Sequence, residues 1–398
     1  MGDFKLSSQA VLARSLAREV REFVDARVVP NEAQLAREGE SSPLLAKLCA
    51  EARRKGLWGV FYPSSHGGKI GSLEDYLLVA EQEGRSEFSQ GIFGSHSALD
   101  AHMLLQYGTP ELKALYLEPL AAGKAVSAYA MTEPDTGGSF PALLTASARL
   151  EGGQWTINGR KWFVCNSERA HFITVLARTG DADTALSKAL SMLIVPADAP
   201  GFRFERPISM LGRFLGQGEL SFTDVKVPEH HLLGHAGAGI ALMGKRLSIG
   251  RLLRSMNWIG LAERSLDLMG ERVHSERGAA CRLTDKQLVR QHFVEVYHAI
   301  SSARALIRIA ARGVDADKPN DVDINVAKMA ASRAVCKAAD SAMQLYGAEG
   351  LSELTPIEGI FRIARTSRIL DGADEALVSS VGRKLMDDYQ QHGAYYFE

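Results

Sequence analysis

The chain has 398 residues, 46% of them hydrophobic, with 46 Lys plus Arg set against 47 Asp plus Glu. A chain of this length buries a large core spread over two or three domains, which excludes a single small module. The near-zero net charge removes any electrostatic case for nucleic acid or an anionic membrane as the main partner and favours an enzyme of a metabolite.

The opening residues, MGDFKLSSQAVLARSLAREV, lack the apolar stretch and small-residue cleavage site of a secretory signal. Leu6 stands where a myristoylation signal needs Ser or Thr, and no apolar run reaches the roughly 18 residues of a membrane span. A cytoplasmic protein with no membrane insertion is expected. From Ser8 to about Ala122 apolar residues recur at helical spacing, as in Val11, Leu12, Leu16, Val20, Phe23 and Val24. Thr109 is placed to cap a helix with Pro110 at its first position and an end near Gly123.

The pattern changes at about Val126. Leu144, Ala146, Ala148 and Leu150 alternate with polar residues, and Gly152-Gly153 leads into Trp155-Thr156-Ile157-Asn158, a strand, turn, strand signature. Further strands are expected over 172–177, 191–195 and 219–227. From Ile240 long helical segments return, over about 240–275, 284–313, 322–346 and 374–390, and four such helices pack as an antiparallel bundle. The expected architecture is mainly α with a central β domain: a helical domain over 1–125, a β domain over 126–236 and a helical bundle over 237–398.

Cys49, Cys165, Cys281 and Cys336 form no CxxC pair and read as small buried apolar residues of a reducing compartment. His230, His231 and His235 lack ligand-spaced partners, so they read as a solvated loop, and no metal site is expected.

Four clusters carry chemistry. Tyr129-Ala130-Met131-Thr132-Glu133-Pro134 runs from a strand into the small-residue loop Asp135-Thr136-Gly137-Gly138-Ser139, where backbone N–H groups can approach a ligand. Asn158-Gly159-Arg160-Lys161-Trp162-Phe163-Val164-Cys165-Asn166 begins with a hairpin-turn dipeptide and offers aromatic faces. Gln344-Leu345-Tyr346-Gly347-Ala348-Glu349-Gly350 ends a helix in a glycine turn. Arg368-Ile369-Leu370-Asp371-Gly372-Ala373-Asp374-Glu375 puts an acid and a glycine ahead of a new helix.

Together, in this order, these clusters resemble the acyl-CoA dehydrogenase family over essentially the whole chain. The segment 218–262 is similar to the branch holding large vertebrate members with fused phosphotransferase-like domains, where Asp tends to occupy the base position. The resemblance implies a β-barrel or sandwich as the middle domain, FAD as cofactor and an acyl thioester, on CoA or a carrier protein, as substrate. It also implies a homo-oligomer, dimer or tetramer, passing electrons to an electron-transfer flavoprotein. Asp371 takes the place of the base that removes the α-proton while the β-hydride goes to flavin N5, and Gly250 stands where some members carry an alternative base.

The resemblance assigns Tyr129, Met131, Thr132, Gly138, Ser139, Phe163 and Cys165 to the flavin ring. It assigns Arg277, Gln344, Gly347, Ala348 and Gly350 to the rest of the cofactor, and Ala373 and Glu375 to the segment meeting substrate and flavin. Gly138, Ser187, Arg251 and Gly372 fall at substrate-contacting places. The departures are Gly138 for a usual Ser, Phe163 for Trp, Cys165 for a hydroxyl residue, Ala280 for an aromatic and Ala348 for Gly. Asp in place of Glu shortens the base's reach by about 1.5 Å. Alternatives within the resemblance are an oxidase of thioesters or nitroalkanes and a thioester-binding homologue without activity.

Overall fold

The computed structural model describes residues 7–39, 42–137 and 140–395. Its principal helices are α1 (Ser8–Phe23), α2 (Pro43–Arg54), α3 (Leu73–Glu83), α4 (Ala98–Tyr107), α5 (Gly239–His274), α6 (Gln287–Asp315), α7 (Asp321–Tyr346), α8 (Ile357–Ser367) and α9 (Asp374–His392). The strands are β1 (Ser127–Ala130), β2 (Ser147–Glu151), β3 (Gln154–Cys165), β4 (Phe172–Arg178), β5 (Leu190–Pro196), β6 (Phe202–Met210), β7 (Arg213–Pro228) and β8 (Leu232–Leu233). An N-terminal helical region, a middle β-sheet domain and a C-terminal helical domain follow one another, as expected. Two compact units divide the chain: a helical one of residues 1–57, 70–93 and 247–398, and one of residues 58–69 and 94–246 that holds the sheet.

In the helical unit α1 buries Ala13, Leu16, Val20 and Phe23, a stripe at three- and four-residue steps that packs on α3. Val11 and Leu12, expected in the same stripe, are exposed. Ser7 caps α1 by accepting from the Ala10 N–H at 3.1 Å. α3 and α5 approach closely, since a Cβ on Gly260 would lie 1.8 Å from the Glu81 carbonyl oxygen. Only a glycine fits there. α6 and α7 pack against one another across the turn 316–320, and Met329 of α7 packs with Leu377 and Val381 of α9.

In the other unit Thr109 caps its helix as expected, accepting from the Leu112 N–H at 3.2 Å with Pro110 behind it. The strands form one sheet in the order β6-β7-β3-β2-β4-β5-β8, with β1 parallel to β4. Its core holds Trp155, Ile157, Val175, Val195, Phe222 and Val225. The β2–β3 turn falls at Gly152-Gly153, whose φ values are 56° and 77°. Asn158-Gly159 makes no turn, contrary to its dipeptide signature. It lies inside β3 at a register shift, where the Asn158 side chain bonds Asp224 and a Cβ on Gly159 would strike Ala146 at 2.6 Å.

Two other expectations are corrected. Cys165 and Cys281 are exposed and Cys49 and Cys336 half-buried, so none is a fully buried core residue. His231 is buried rather than solvated: its Nδ1 lies 2.8 Å from the Ile194 carbonyl oxygen and its ring meets Tyr116 edge-on. Among the described residues no three His, Cys, Asp or Glu side chains are grouped to hold a metal, and no helix is long and apolar enough to cross a membrane.

Candidate functional site

In the sheet-containing unit β1 delivers Tyr129, Met131 and Thr132 to the edge of β3. The Trp162 N–H donates to the Thr132 carbonyl at 3.0 Å, so the loop after β1 is stitched to the middle of β3. A buried ion pair fixes it from behind. Lys161, fully buried, donates to the Met131 carbonyl at 2.7 Å and to Glu133 at 2.9 Å. Glu133 also accepts from the Thr145 N–H and hydroxyl and the Ala146 N–H at 2.7, 2.7 and 3.0 Å. Burial raises the Glu133 carboxyl, but the Lys161 charge and these bonds outweigh it and hold it below the usual 4.5. Burial pushes Lys161 down to about 8 against the pull of Glu133, so both are charged at neutral pH.

A carboxylate whose pKa is depressed in the fold stabilises it above the unfolded value, and that contribution disappears as pH falls through the folded one. Resistance to urea is therefore expected to drop as pH falls below about 4.5, with a shallower acid slope in Glu133→Gln. Urea midpoints across a pH series measure this.

Beyond Lys161 the strand breaks register, and Phe163 occupies the bulge with φ of 52°. A left-handed aromatic residue is a strained conformation worth on the order of 1–3 kcal/mol, here one that turns a hydrophobic ring outward with 41% of it exposed. Cys165, exposed two residues on, has its sulfur 3.5 Å from the Gln217 side-chain amide. Tyr129 Oη, Trp162 Nε1 and Gln217 Oε1 are buried without a hydrogen-bond partner among the described residues. Three orphaned polar atoms in one strand neighbourhood are costly. A planar ligand with polar edges, lying on an outward aromatic face, fits this arrangement. Ser187 stands apart on the short exposed helix Leu186–Ala189, and Gly138 and Ser139 lie outside the described residues.

In the helical unit the segment 368–375 is held as a tight loop ahead of α9. Asp371 has φ of 57° and Gly372 φ of 105°. Aspartate tolerates the left-handed region better than most side chains. At Gly372 a Cβ would come within 3.1 Å of Leu377 and 3.4 Å of Arg251. Arg251 Nε donates to the Asp371 carbonyl at 2.8 Å, and buried Lys328 donates to the Gly372 carbonyl at 2.8 Å. Lys328 also pairs with Asp374 at 2.8 Å, and Asp374 accepts from Ser332 at 3.0 Å and Arg368 at 2.7 Å. Burial pushes the Lys328 ammonium below its ordinary range, against the pull of Asp374.

The Asp371 side chain is thus presented from a rigid loop, 28% exposed, with Arg254 Nε 3.8 Å from its carboxylate. Its backbone N–H donates to nothing among the described residues. Ala373 caps α9, and Glu375 is exposed and pairs with Arg368 at 3.0 Å. Arg251 is therefore placed as a brace of the acidic loop. Neither brace was foreseen from sequence. The signal that could have pointed to Lys328 is a charge in phase with the buried positions of α7.

The remaining predicted residues assemble elsewhere on this unit. Gln344, Gly347 and Ala348 are exposed where α7 ends, with Gly347 at φ of 64°, and Gly350 is buried where a Cβ would press on the Met343 carbonyl at 2.9 Å. Arg277 is joined to the turn by an ion pair with Glu349, which Arg272 also meets at 3.1 Å.

Comparison with known proteins bears on the whole chain. Residues 13–124, 128–225 and 237–386 match the N-terminal, middle and C-terminal domains of acyl-CoA dehydrogenase. "Acyl-CoA dehydrogenase family member 11" of Rattus norvegicus is 31% identical over 96% of the chain, and the chain spans about half (52%) of that relative's length. "Probable acyl-CoA dehydrogenase FadE2" of Mycobacterium tuberculosis is 31% identical over 96% of both chains. The solved structure of butyryl-CoA dehydrogenase from Megasphaera elsdenii covers 97% of the chain with a TM-score of 0.84 at 25% identity, and all of that structure is matched.

Proposed function

The chain belongs to the acyl-CoA dehydrogenase family, and from that premise we propose that it oxidises an acyl thioester to the trans-2-enoyl thioester with Asp371 as base. The single observation that carries the reading is the Asp371 loop. A carboxylate is presented from a left-handed residue, the Asp371 and Gly372 carbonyls are braced by half-buried Arg251 and buried Lys328, and the Asp371 N–H donates to nothing among the described residues.

An α C–H beside a thioester is a weak acid, so its removal needs a positioned base together with stabilisation of the charge that develops on the thioester oxygen. Asp371 takes the proton. Its backbone N–H is the donor this chain offers to the carbonyl oxygen. Arg251 and Lys328 keep the loop from relaxing, because their charge-assisted bonds to the 371 and 372 carbonyls fix the two peptide planes that follow the base. FAD, when bound, accepts the β-hydride.

For the flavin ring, Phe163 offers the stacking face. Tyr129, Trp162 and Gln217 offer unfilled polar atoms, and Thr132 and Met131 lie on the same stitched loop. Cys165 supplies only a weak thiol donor, so backbone groups carry more of the contact there. Arg277 suits the cofactor's diphosphate because its planar fork binds two oxygens at once, and Gln344, Gly347, Ala348 and Gly350 form the turn beside it. CoA or a carrier protein bears the substrate, an electron-transfer flavoprotein takes the electrons, and the protein works as a homo-oligomer.

Glu349 is a counter-anion already on Arg277. Glu349→Gln is therefore expected to tighten FAD binding by about fivefold, the worth of a partly exposed ion pair, and Arg277→Ala to weaken it. Quenching of flavin fluorescence on titration measures both.

The reading is tested by loading the purified chain with FAD, reducing it anaerobically with acyl-CoA and timing its reoxidation. Rapid reoxidation by electron-transfer flavoprotein and slow reoxidation in air is the expected result. Fast reoxidation in air with peroxide would make it an oxidase, and failure to take up FAD would leave only a thioester-binding protein.

A further inference from the structure

We propose that Arg254 makes the surroundings of Asp371 selective for thioesters whose acyl group ends in a carboxylate. The inference deepens the proposed function and rests on Asp371 as the base.

Arg254 lies one turn beyond Arg251 on α5, and both guanidiniums meet the 368–375 loop. They meet it differently. Arg251 is spent on the loop's backbone, through the Asp371 carbonyl at 2.8 Å, and on Asn325 at 3.1 Å. Arg254 reaches the Asp371 carboxylate itself, at 3.8 Å. Its Nη1 donates to Gln90 Oε1 at 3.0 Å. Gln90 in turn donates to Asn257, whose amide is fixed on the Ala80 carbonyl at 2.7 Å. The guanidinium is therefore held in place, yet Nη2 donates to nothing among the described residues and 41% of the side chain is exposed.

Lys328 and Arg368 are matched by Asp374 and Glu375. Arg254 faces the Asp371 carboxylate, whereas Arg251 has no carboxylate within 4 Å among the described residues. Burial pushes the Arg251 pKa down, opposed only by the charges of Asp371 and Asp321. Arg254 is the cation that keeps an N–H group without a partner among the described residues beside the carboxylate that must reach the substrate's α-carbon.

A plain hydrocarbon chain laid there would strip water from Arg254 and return nothing for it. A carboxylate on the acyl chain brings an opposite charge to the guanidinium and accepts N–H bonds in the fork geometry it favours. A hydroxyl carries no charge and would meet the guanidinium less strongly. The reach is short. With Arg254 Nε 3.8 Å from the base carboxylate, and about 1.5 Å per C–C bond, a carboxylate roughly three or four bonds from the α-carbon meets the free edge of the guanidinium. The predicted class is an ω-carboxyacyl thioester of about five or six carbons.

The test compares ω-carboxyacyl-CoAs of five and six carbons with straight-chain and hydroxyacyl-CoAs of equal length. Anaerobic flavin bleaching is read for FAD-loaded wild type, Arg254→Met and Arg254→Lys, with equilibrium binding of the matching non-oxidisable thioether analogues measured in parallel. The wild type is expected to favour the carboxyacyl compounds by about 30-fold or more, as for a charged pair with one partner removed. Arg254→Met should collapse that ratio in both bleaching and binding, and Arg254→Lys should keep part of it.

A wild type that prefers straight-chain or hydroxyacyl thioesters, or an Arg254→Met ratio within about threefold of wild type, would overturn the proposal. If no thioester bleaches the wild type, the assignment of function fails instead, and the thioether affinities still decide the role of Arg254. Retention of FAD by each variant shows that its fold is intact.

Discussion

Asp371→Asn is expected to slow flavin reduction by about 10³-fold, the middle of the range for losing a general base. Asparagine is nearly isosteric, tolerates the left-handed φ of 57° that the loop imposes, and can still accept from Arg254. It cannot take a proton. Thermal midpoint and FAD affinity should therefore stay close to wild type while anaerobic bleaching by an acyl-CoA almost stops. Asp371→Glu separates reach from basicity. It keeps the carboxylate and moves it by about 1.5 Å, but it places a less tolerant side chain at a strained position. Partial activity with a lowered thermal midpoint is the expected outcome. Stopped-flow bleaching of the three proteins at saturating substrate measures the series, and an Asn variant as fast as wild type would reassign the base.

Lys328→Met is expected to destabilise the protein by about 3–5 kcal/mol, the usual result of removing one partner of a buried ion pair. Lys328 is fully buried and bonds both Asp374 and the Gly372 carbonyl at 2.8 Å. Methionine fills a similar volume but leaves Asp374, itself 1% exposed, with Ser332 and Arg368 as its side-chain partners. The loop carrying Asp371 loses its second brace at the same time, so flavin reduction should fall along with the unfolding midpoint. The double variant Lys328→Met/Asp374→Asn removes the stranded charge and should recover much of the stability, because replacing both members of a buried pair costs far less than breaking it. It should not recover the rate. Chemical unfolding midpoints and bleaching rates of the single and double variants distinguish the charge penalty from the loss of positioning.

Much of the fold was legible because it is written in periodicity. The last long helices, Gly239–His274, Gln287–Asp315, Asp321–Tyr346 and Asp374–His392, lie close to the spans expected from their apolar spacing, and the core strands 172–178 and 190–196 are mostly apolar and buried along nearly their whole length. What escaped notice has weaker patterning. β6 sits at the end of the sheet order and is mostly exposed, and its alternation over Phe202-Arg203-Phe204-Glu205 is cut short by Arg206-Pro207, where the pairing shifts register. Helix Ile357–Ser367 is short, although Ile357, Ile360 and Ala364 are spaced as a buried stripe behind Pro356.

The site divides in the same way. Asp371, Arg277 and the strand carrying Phe163 were visible through motif and resemblance. Lys161, Lys328 and Arg254 were not, because each acts through a partner 28, 46 or 117 positions away in sequence (161 − 133, 374 − 328, 371 − 254). Only folding brings such pairs together. Asn158-Gly159 shows the converse: a local turn signal was overruled by the pairing of β3 with both β2 and β7.

The claim that the chain oxidises acyl thioesters is tested most directly by anaerobic titration of the FAD-loaded protein with a panel of acyl-CoAs, coupled to mass analysis of the thioester. The account predicts stoichiometric bleaching of the flavin by at least one acyl-CoA, with a product lighter by two hydrogens and loss of both in Asp371→Asn. Flavin that is bound but left oxidised by every thioester, with no lighter product, would contradict it.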